Sequence, residues 1–276
     1  MKRRFLTLSV CIFLTLNTFP QTADEWFPAE LNIQPLTANY LEAKAGFEYL
    51  FDINKVQINI GVTRDIYHYH DDKTTISFGA DLFTYTRTRA QSNFKFPVET
   101  IDYMFGINAG YKKEDGNKEI GLRLRFSHIS AHLVDGLYDA ESERWLNVRE
   151  PFVYSKEFIE FFPYIRKDGV RIYLGLTYII HVIPDLIKKG IFQAGFDYYI
   201  LPLRNSSFIP FIAYDFKLTG IEKYSGNNIV TAGIKFGEPL SRGFSILISY
   251  LSGKSVHGEF YDISENYWTI GLNLDL

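Results

Sequence analysis

Cysteine is all but missing from this sequence: the single one, Cys11, lies in an apolar run near the N-terminus. Val10 precedes it where a lipid-anchor signal needs a small residue, so no lipid anchor is expected. Once that run is removed no thiol remains, which excludes disulfide scaffolds, cysteine nucleophiles and zinc-thiolate sites. Charge of one sign is lacking too. Lys and Arg number 29 against 32 Asp and Glu, a formal charge of -3, so no field marks a nucleic-acid or acidic-substrate partner. Beyond the first residues there is no apolar stretch of the ~20 residues a transmembrane helix needs. P-loop, dinucleotide fingerprint, zincin helix and low-complexity tract are all absent, and no repeat is clear beyond the hairpin itself.

What is present is aromatic and β-branched. Aromatics make up 17% of the chain, with 24 Phe and 19 Tyr beside 2 Met, and such residues suit strands. Lys2, Arg3 and Arg4 precede an apolar run over residues 5–16, followed by Asn17, Pro20 and Gln21. That is the layout of a cleaved secretory signal ending near Ala23, leaving residues 24–276 as one domain.

Alternation with period two recurs along nearly all of that domain. At the C-terminus Trp268, Ile270, Leu272, Leu274 and Leu276 share one face, against Thr269, Gly271, Asn273 and Asp275. The same split is read in Leu41, Ala43, Ala45, Phe47, Tyr49 and Phe51 against Glu42, Lys44, Gly46 and Glu48, and again in Val56, Ile58, Ile60 and Val62. Further strands are expected near Ile76, Ile101, Ile120, Phe152, Val170, Ile191, Phe208, Ile229 and Phe244. About twelve strands of about 10 residues suit an all-β, transmembrane, antiparallel up-and-down barrel of the outer-membrane type. A soluble sandwich would alternate as well, and the connections favour the barrel. Residues 69–73, 112–118, 166–169, 204–207 and 237–243 are short and turn-like. Residues 89–97, 129–151, 181–190, 220–228 and 252–266 are longer, and only 52–55 breaks the rule. Short turns on one side and long loops on the other are the barrel pattern, with both termini on the periplasmic side of a bacterial outer membrane.

The alternate face carries Glu42, Lys44, Glu48, Arg87, Arg89, Asp102, Arg123, Arg125, Asp197, Asp215, Lys217 and Lys235. Both signs occur in similar numbers. About twelve strands with opposed long charged side chains favour a lumen filled by ion pairs over a conducting pore.

Most of the chemistry is concentrated in Arg123 to Asp135, RLRFSHISAHLVD. Ile120, Leu122, Leu124 and Phe126 form the lipid-facing set, and His128 and Ser130 continue it unless a bulge intervenes. A bulge at Ser127 would instead turn His128, Ser130 and His132 inward, towards Arg125. A polar pair on a lipid face is costly, which makes it a candidate site. Residues i and i+2 of a strand project side by side, so an imidazole can activate a serine hydroxyl for acyl transfer. A third group must orient the imidazole, and Glu143, Asp135, Glu141 and Glu150 are the nearby candidates. Backbone amides at the strand end, or a bound cation, would have to stabilise the oxyanion.

His128-x-Ser130 resembles the His-x-Ser-Asn signature of outer-membrane phospholipase A and lipid A deacylase families, with Ala131 standing where those families carry Asn. The resemblance implies a serine-dependent lipid acyl hydrolase with a twelve-stranded fold. It also implies a third catalytic residue about a dozen positions after the serine, close to Glu141 and Glu143, and Ca2+ if the enzyme is a phospholipase. Otherwise no cofactor is predicted. A wider resemblance, carried by His132-Leu133, Asp135 and Tyr154-Ser155-Lys156-Glu157, is to an uncharacterised bacterial family of unknown function expected to form outer-membrane proteins. It implies no activity. A structural barrel and a narrow pore for small solutes therefore stand beside the hydrolase. The expected partners are outer-membrane lipids and the assembly machinery, which reads C-terminal strands like this one.

One other cluster is notable. His68, His70, Asp71 and Asp72 fall at a turn, and alternate histidines share a strand face that can hold a divalent metal with a carboxylate. A solvated polar turn without metal is the expectation there.

Overall fold

The computed structural model describes residues 23–146, 150–203 and 208–275. The expected signal segment up to residue 22, the turn at 204–207 and the terminal Leu276 lie outside them.

Twelve antiparallel strands close into a barrel. In chain order they are β2 (Ala45–Leu50), β3 (Lys55–Asp71), β4 (Thr74–Arg89), β5 (Val98–Asp115), β6 (Lys118–Leu133), β9 (Tyr154–Lys167), β10 (Val170–Ile183), β11 (Gly190–Tyr199), β12 (Ile209–Ile221), β13 (Lys223–Gly237), β14 (Gly243–Lys254) and β15 (Ser264–Asp275). Each pairs with its neighbour, and β15 closes the ring on β2 from Leu274 opposite Ala45 to Thr269 opposite Leu50. Outside the ring are β1 (Ala23–Trp26), laid on the far end of β3, and a small hairpin of β7 (Tyr138–Asp139) and β8 (Arg144–Trp145) in the loop after β6.

The expected phase is realised. Ile60, Leu82, Ile107, Leu124, Leu176 and Ile248 stand exposed on the outer wall, while Arg87, Asp102, Arg123, Arg125, Asp197 and Lys235 are buried inside. Tight hairpins join strands at one end. Lys167 pairs with Val170, and between them Asp168 and Gly169 both take positive φ, 50° and 84°, the two-residue turn whose twist matches the strands.

Two expectations need correction. The segment 220–228 is not a long loop: Phe216 to Ile221 pair residue by residue with Asn228 to Lys223, and Glu222 alone turns the chain at φ 53°. Its polar composition reads as loop, but backbone pairing is indifferent to composition once a neighbouring strand supplies a template.

The second concerns the first strand, which begins at Ala45 rather than Leu41. Residues 28–44 run inside the barrel, so Leu41, expected on the lipid face, is buried against Phe83, Tyr85 and Met104. Asn39 breaks the extended path, its side-chain oxygen accepting the N–H of Leu41 at 3.1 Å. Glu42 accepts from Arg123, at 2.9 Å through one oxygen, and from Asn39 at 2.9 Å. Arg171 donates to the carbonyls of Gln34 and Pro35 at 2.7 and 2.6 Å, Lys217 donates to Asn39 at 2.7 Å, and Asp65 accepts the N–H of Asn32 at 2.7 Å. Burial of Leu36 and Leu41 adds about 1.5–3 kcal/mol each.

Wall charges thus grip a chain segment as well as each other. Burial would raise the Glu42 carboxyl, but the Arg123 and Arg125 guanidiniums overcome it and hold its pKa at about 2. At the opposite mouth the loop between β14 and β15 folds in: Asp102 receives His257 Nδ1 and the N–H of Gly258, both at 2.7 Å. Cavities beside the segment measure about 40 to 60 Å³, room for a few waters.

Candidate functional site

The β6 register runs without a break against both β5 and β9. With no bulge at Ser127, that residue stays inward and fully buried, and His128 and Ser130 stay on the outer wall in line with Leu124 and Phe126. Ser130 sits three residues from the end of β6, at the rim where the connection towards β9 departs. Behind it Met104, Ile129, Ala131, Tyr154 and Phe158 pack into an apolar cluster that makes this part of the wall rigid.

A carboxylate does orient His128, but it is Glu157. The β6–β9 ladder places Glu157 opposite His128, and its Oε1 lies 2.6 Å from His128 Nδ1. Its other oxygen lies 2.8 Å from Nδ1 of His181, which the bulge in β10 between Ile179 and His181 brings opposite Glu157. Phe105 lies against the His128 ring, with centroids 4.9 Å apart. Ser155 stands across from Ser130 on the same ladder.

Four acids proposed from the sequence thus give way to a fifth. Asp135 starts a short 3-10 turn, and Glu141, Glu143 and Glu150 follow in the loop; all four are exposed, and none is the partner of His128. Proximity in sequence misled here, because the carboxylate comes from the next strand, 29 residues on. Its signal was nevertheless present: Glu157 lies in phase with Ile159 and Phe161 on the outward set of β9, a polar residue on an apolar face just like His128.

With Nδ1 engaged by a carboxylate, Nε2 is the nitrogen left for Ser130, the division of labour that a serine–histidine–acid arrangement requires. No hydrogen bond joins Ser130 to His128 among the described residues. Such bonds often form only when substrate is bound.

Residues 101–276, well over half the chain, match the family described as a protein of unknown function, DUF1207. The chain belongs to this family. The DUF1207 match begins in β5 and includes His128, Ser130, Glu157 and His181; β1 to β4 and the internal segment lie before it. No curated protein matches the chain. Among solved structures it is similar to outer membrane phospholipase A from Escherichia coli, at 10% identity and a TM-score of 0.57 over 87% of this chain and 93% of that one. An active-site mutant of that enzyme from the same organism gives 10% identity and 0.56 over the same shares. At this identity the likeness extends to the fold, and the DUF1207 chain shares a closed barrel with these proteins.

Proposed function

We propose that the protein is secreted, spans a bacterial outer membrane with both termini on the periplasmic side, and hydrolyses a lipid acyl ester on its outer wall. The observation that carries this reading is the 2.6 Å contact of Glu157 with His128, beside an outward Ser130 at the loop rim of an apolar wall. A histidine–carboxylate pair on a lipid-facing wall is expensive, and a site of this kind is a functional candidate by default.

The chemistry follows from the order of the groups. Ser130 Oγ attacks the ester carbonyl as Nε2 of His128 takes its proton. The imidazolium, held by Glu157, returns that proton to the departing alcohol oxygen as the ester C–O bond breaks. Water, deprotonated by the same nitrogen, then attacks the acyl-serine, releases the fatty acid and restores the hydroxyl. An apolar wall leading to the hydroxyl suits a substrate whose acyl chain stays in the membrane.

Calcium, which the phospholipase resemblance implies, needs six to eight oxygen ligands. Among the described residues, no three acidic or histidine side chains beside Ser130 bring one ligand atom each within 4.8 Å of the others, and no step is assigned to the ion.

Mass spectrometry of phospholipid and of lipid A, each incubated with refolded protein with and without calcium, tests the proposal. Loss of an acyl chain from one of the two, absent with Ser130→Ala, is the expected outcome and identifies the substrate. Unchanged lipids in every arm would leave a structural barrel instead. A narrow pore is disfavoured by the internal segment, so planar bilayers carrying the protein are expected to show no steady conductance; open-channel current would reverse that assignment.

A further inference from the structure

A second imidazole cluster lies at the other rim, on the turn end of β3. The bulge between Asp65 and Tyr67 inverts the phase of the strand, so His68 and His70 both face inward. β1 then lays Glu25 opposite His68. One potential ligand atom from each of Glu25, His68 and His70 lies within 4.8 Å of the others. Glu25 Oε2 is 3.4 Å from His70 Nε2, and the two rings meet edge to face at 5.4 Å.

Each imidazole also has one nitrogen held by a neighbouring oxygen. His68 Nε2 is 2.8 Å from Asp65 Oδ2, and His70 Nδ1 is 3.1 Å from Thr75 Oγ1. Ligating histidines are typically fixed in this way, with one nitrogen on a carboxylate or other oxygen and the other turned to the ion. Asp71 and Asp72, the carboxylates nearest in sequence, are at the exposed turn and do not take part.

We propose that Glu25, His68 and His70 bind one divalent transition-metal ion of the zinc class, and that the ion pins β1 to the barrel wall. Two imidazoles and one carboxylate suit zinc, nickel or copper, whereas calcium and magnesium want oxygen ligands throughout. Mutual distances of up to 4.8 Å need only small side-chain rotations to reach metal–ligand bonds of about 2.0–2.2 Å. Only four residue pairs form the ladder of β1, and it lies outside the ring. A metal bridge from Glu25 to β3 supplies a link that its ladder alone makes only weakly.

The test is titration of the refolded, tag-free barrel with zinc against a chromophoric chelator, paired with amide hydrogen exchange over residues 24–26. One zinc per chain is expected, with slower exchange in β1 and no competition from calcium. Glu25→Gln, at an exposed position that cannot unfold the barrel, should weaken binding about 10-fold or more, and His70→Ala about 100-fold. His132→Ala, at an exposed histidine on the other rim, should bind as the parent does. Equal affinity in the parent, Glu25→Gln and His70→Ala, or no saturable binding at all, overturns the site. Binding that leaves exchange at 24–26 unchanged overturns the role assigned to the ion.

Discussion

Replacing Ser130 with alanine is expected to lower acyl release by a factor of about 10³ or more, as loss of a nucleophile does when binding contacts survive. The reason is local. Ser130 lies three residues from the end of an unbroken strand, its neighbours Ile129 and Ala131 are packed in the interior, and removing one oxygen leaves that wall intact. His128→Ala should cost as much, and the double variant little more, because the two groups act as one unit. Glu157→Gln keeps the shape but loses the charge that stabilises the imidazolium; a fall of about 10² to 10⁴ is expected. Ser155→Ala, Asp135→Asn and Glu143→Gln are the controls. Ser155 is the cross-strand neighbour of Ser130, and the two acids sit in the loop away from His128, so each should stay within a few-fold of the parent by the same assay of released fatty acid. Full activity in Ser130→Ala, or loss in Ser155→Ala alone, would move the nucleophile across the ladder or remove it.

Arg125→Met should produce the largest loss of stability. Arg125 is fully buried; its Nε donates to Glu160 Oε2 at 2.6 Å, and it lies 3.8 Å from Glu42. Removing the cation strands the buried Glu160 carboxylate and leaves Glu42 to Arg123 alone, and breaking such a pair from one side costs about 3–5 kcal/mol. Urea titration of the barrel in vesicles, followed by tryptophan fluorescence, should show that shift. Arg125→Met with Glu160→Met should recover much of it, since apolar replacements of both partners are often neutral. Lys73→Ala, which breaks an exposed pair with Asp115, should leave the midpoint in place.

The same network has a pH signature. The Glu42 carboxyl is lowered from 4.5 in the open chain to about 2 in the fold, so the folded state binds fewer protons. Its contribution is present in full above the unfolded value and is lost as pH falls from about 4.5 towards 2. Stability in urea should decline over that window, and Glu42→Gln should flatten the decline.

How far the sequence could be read follows from what a period of two can encode. Alternation assigns each side chain to one of two faces, and a slip of one residue would turn every apolar side chain into the lumen. Twelve strands, the apolar outer wall, the charged interior and the outward phase of His128 and Ser130 were therefore all legible in the linear pattern. Leu41-Glu42-Ala43-Lys44 shows the limit. It alternates as a strand does, yet its carboxylate is matched by Arg123 and Arg125, whose positions exist only once the ring has closed. Glu157 on His128 and Glu25 beside His68 share that origin. Each depends on the register between strands, and register is a long-range property: pairing places residues 29 or 43 positions apart side by side, at separations that no local spacing records.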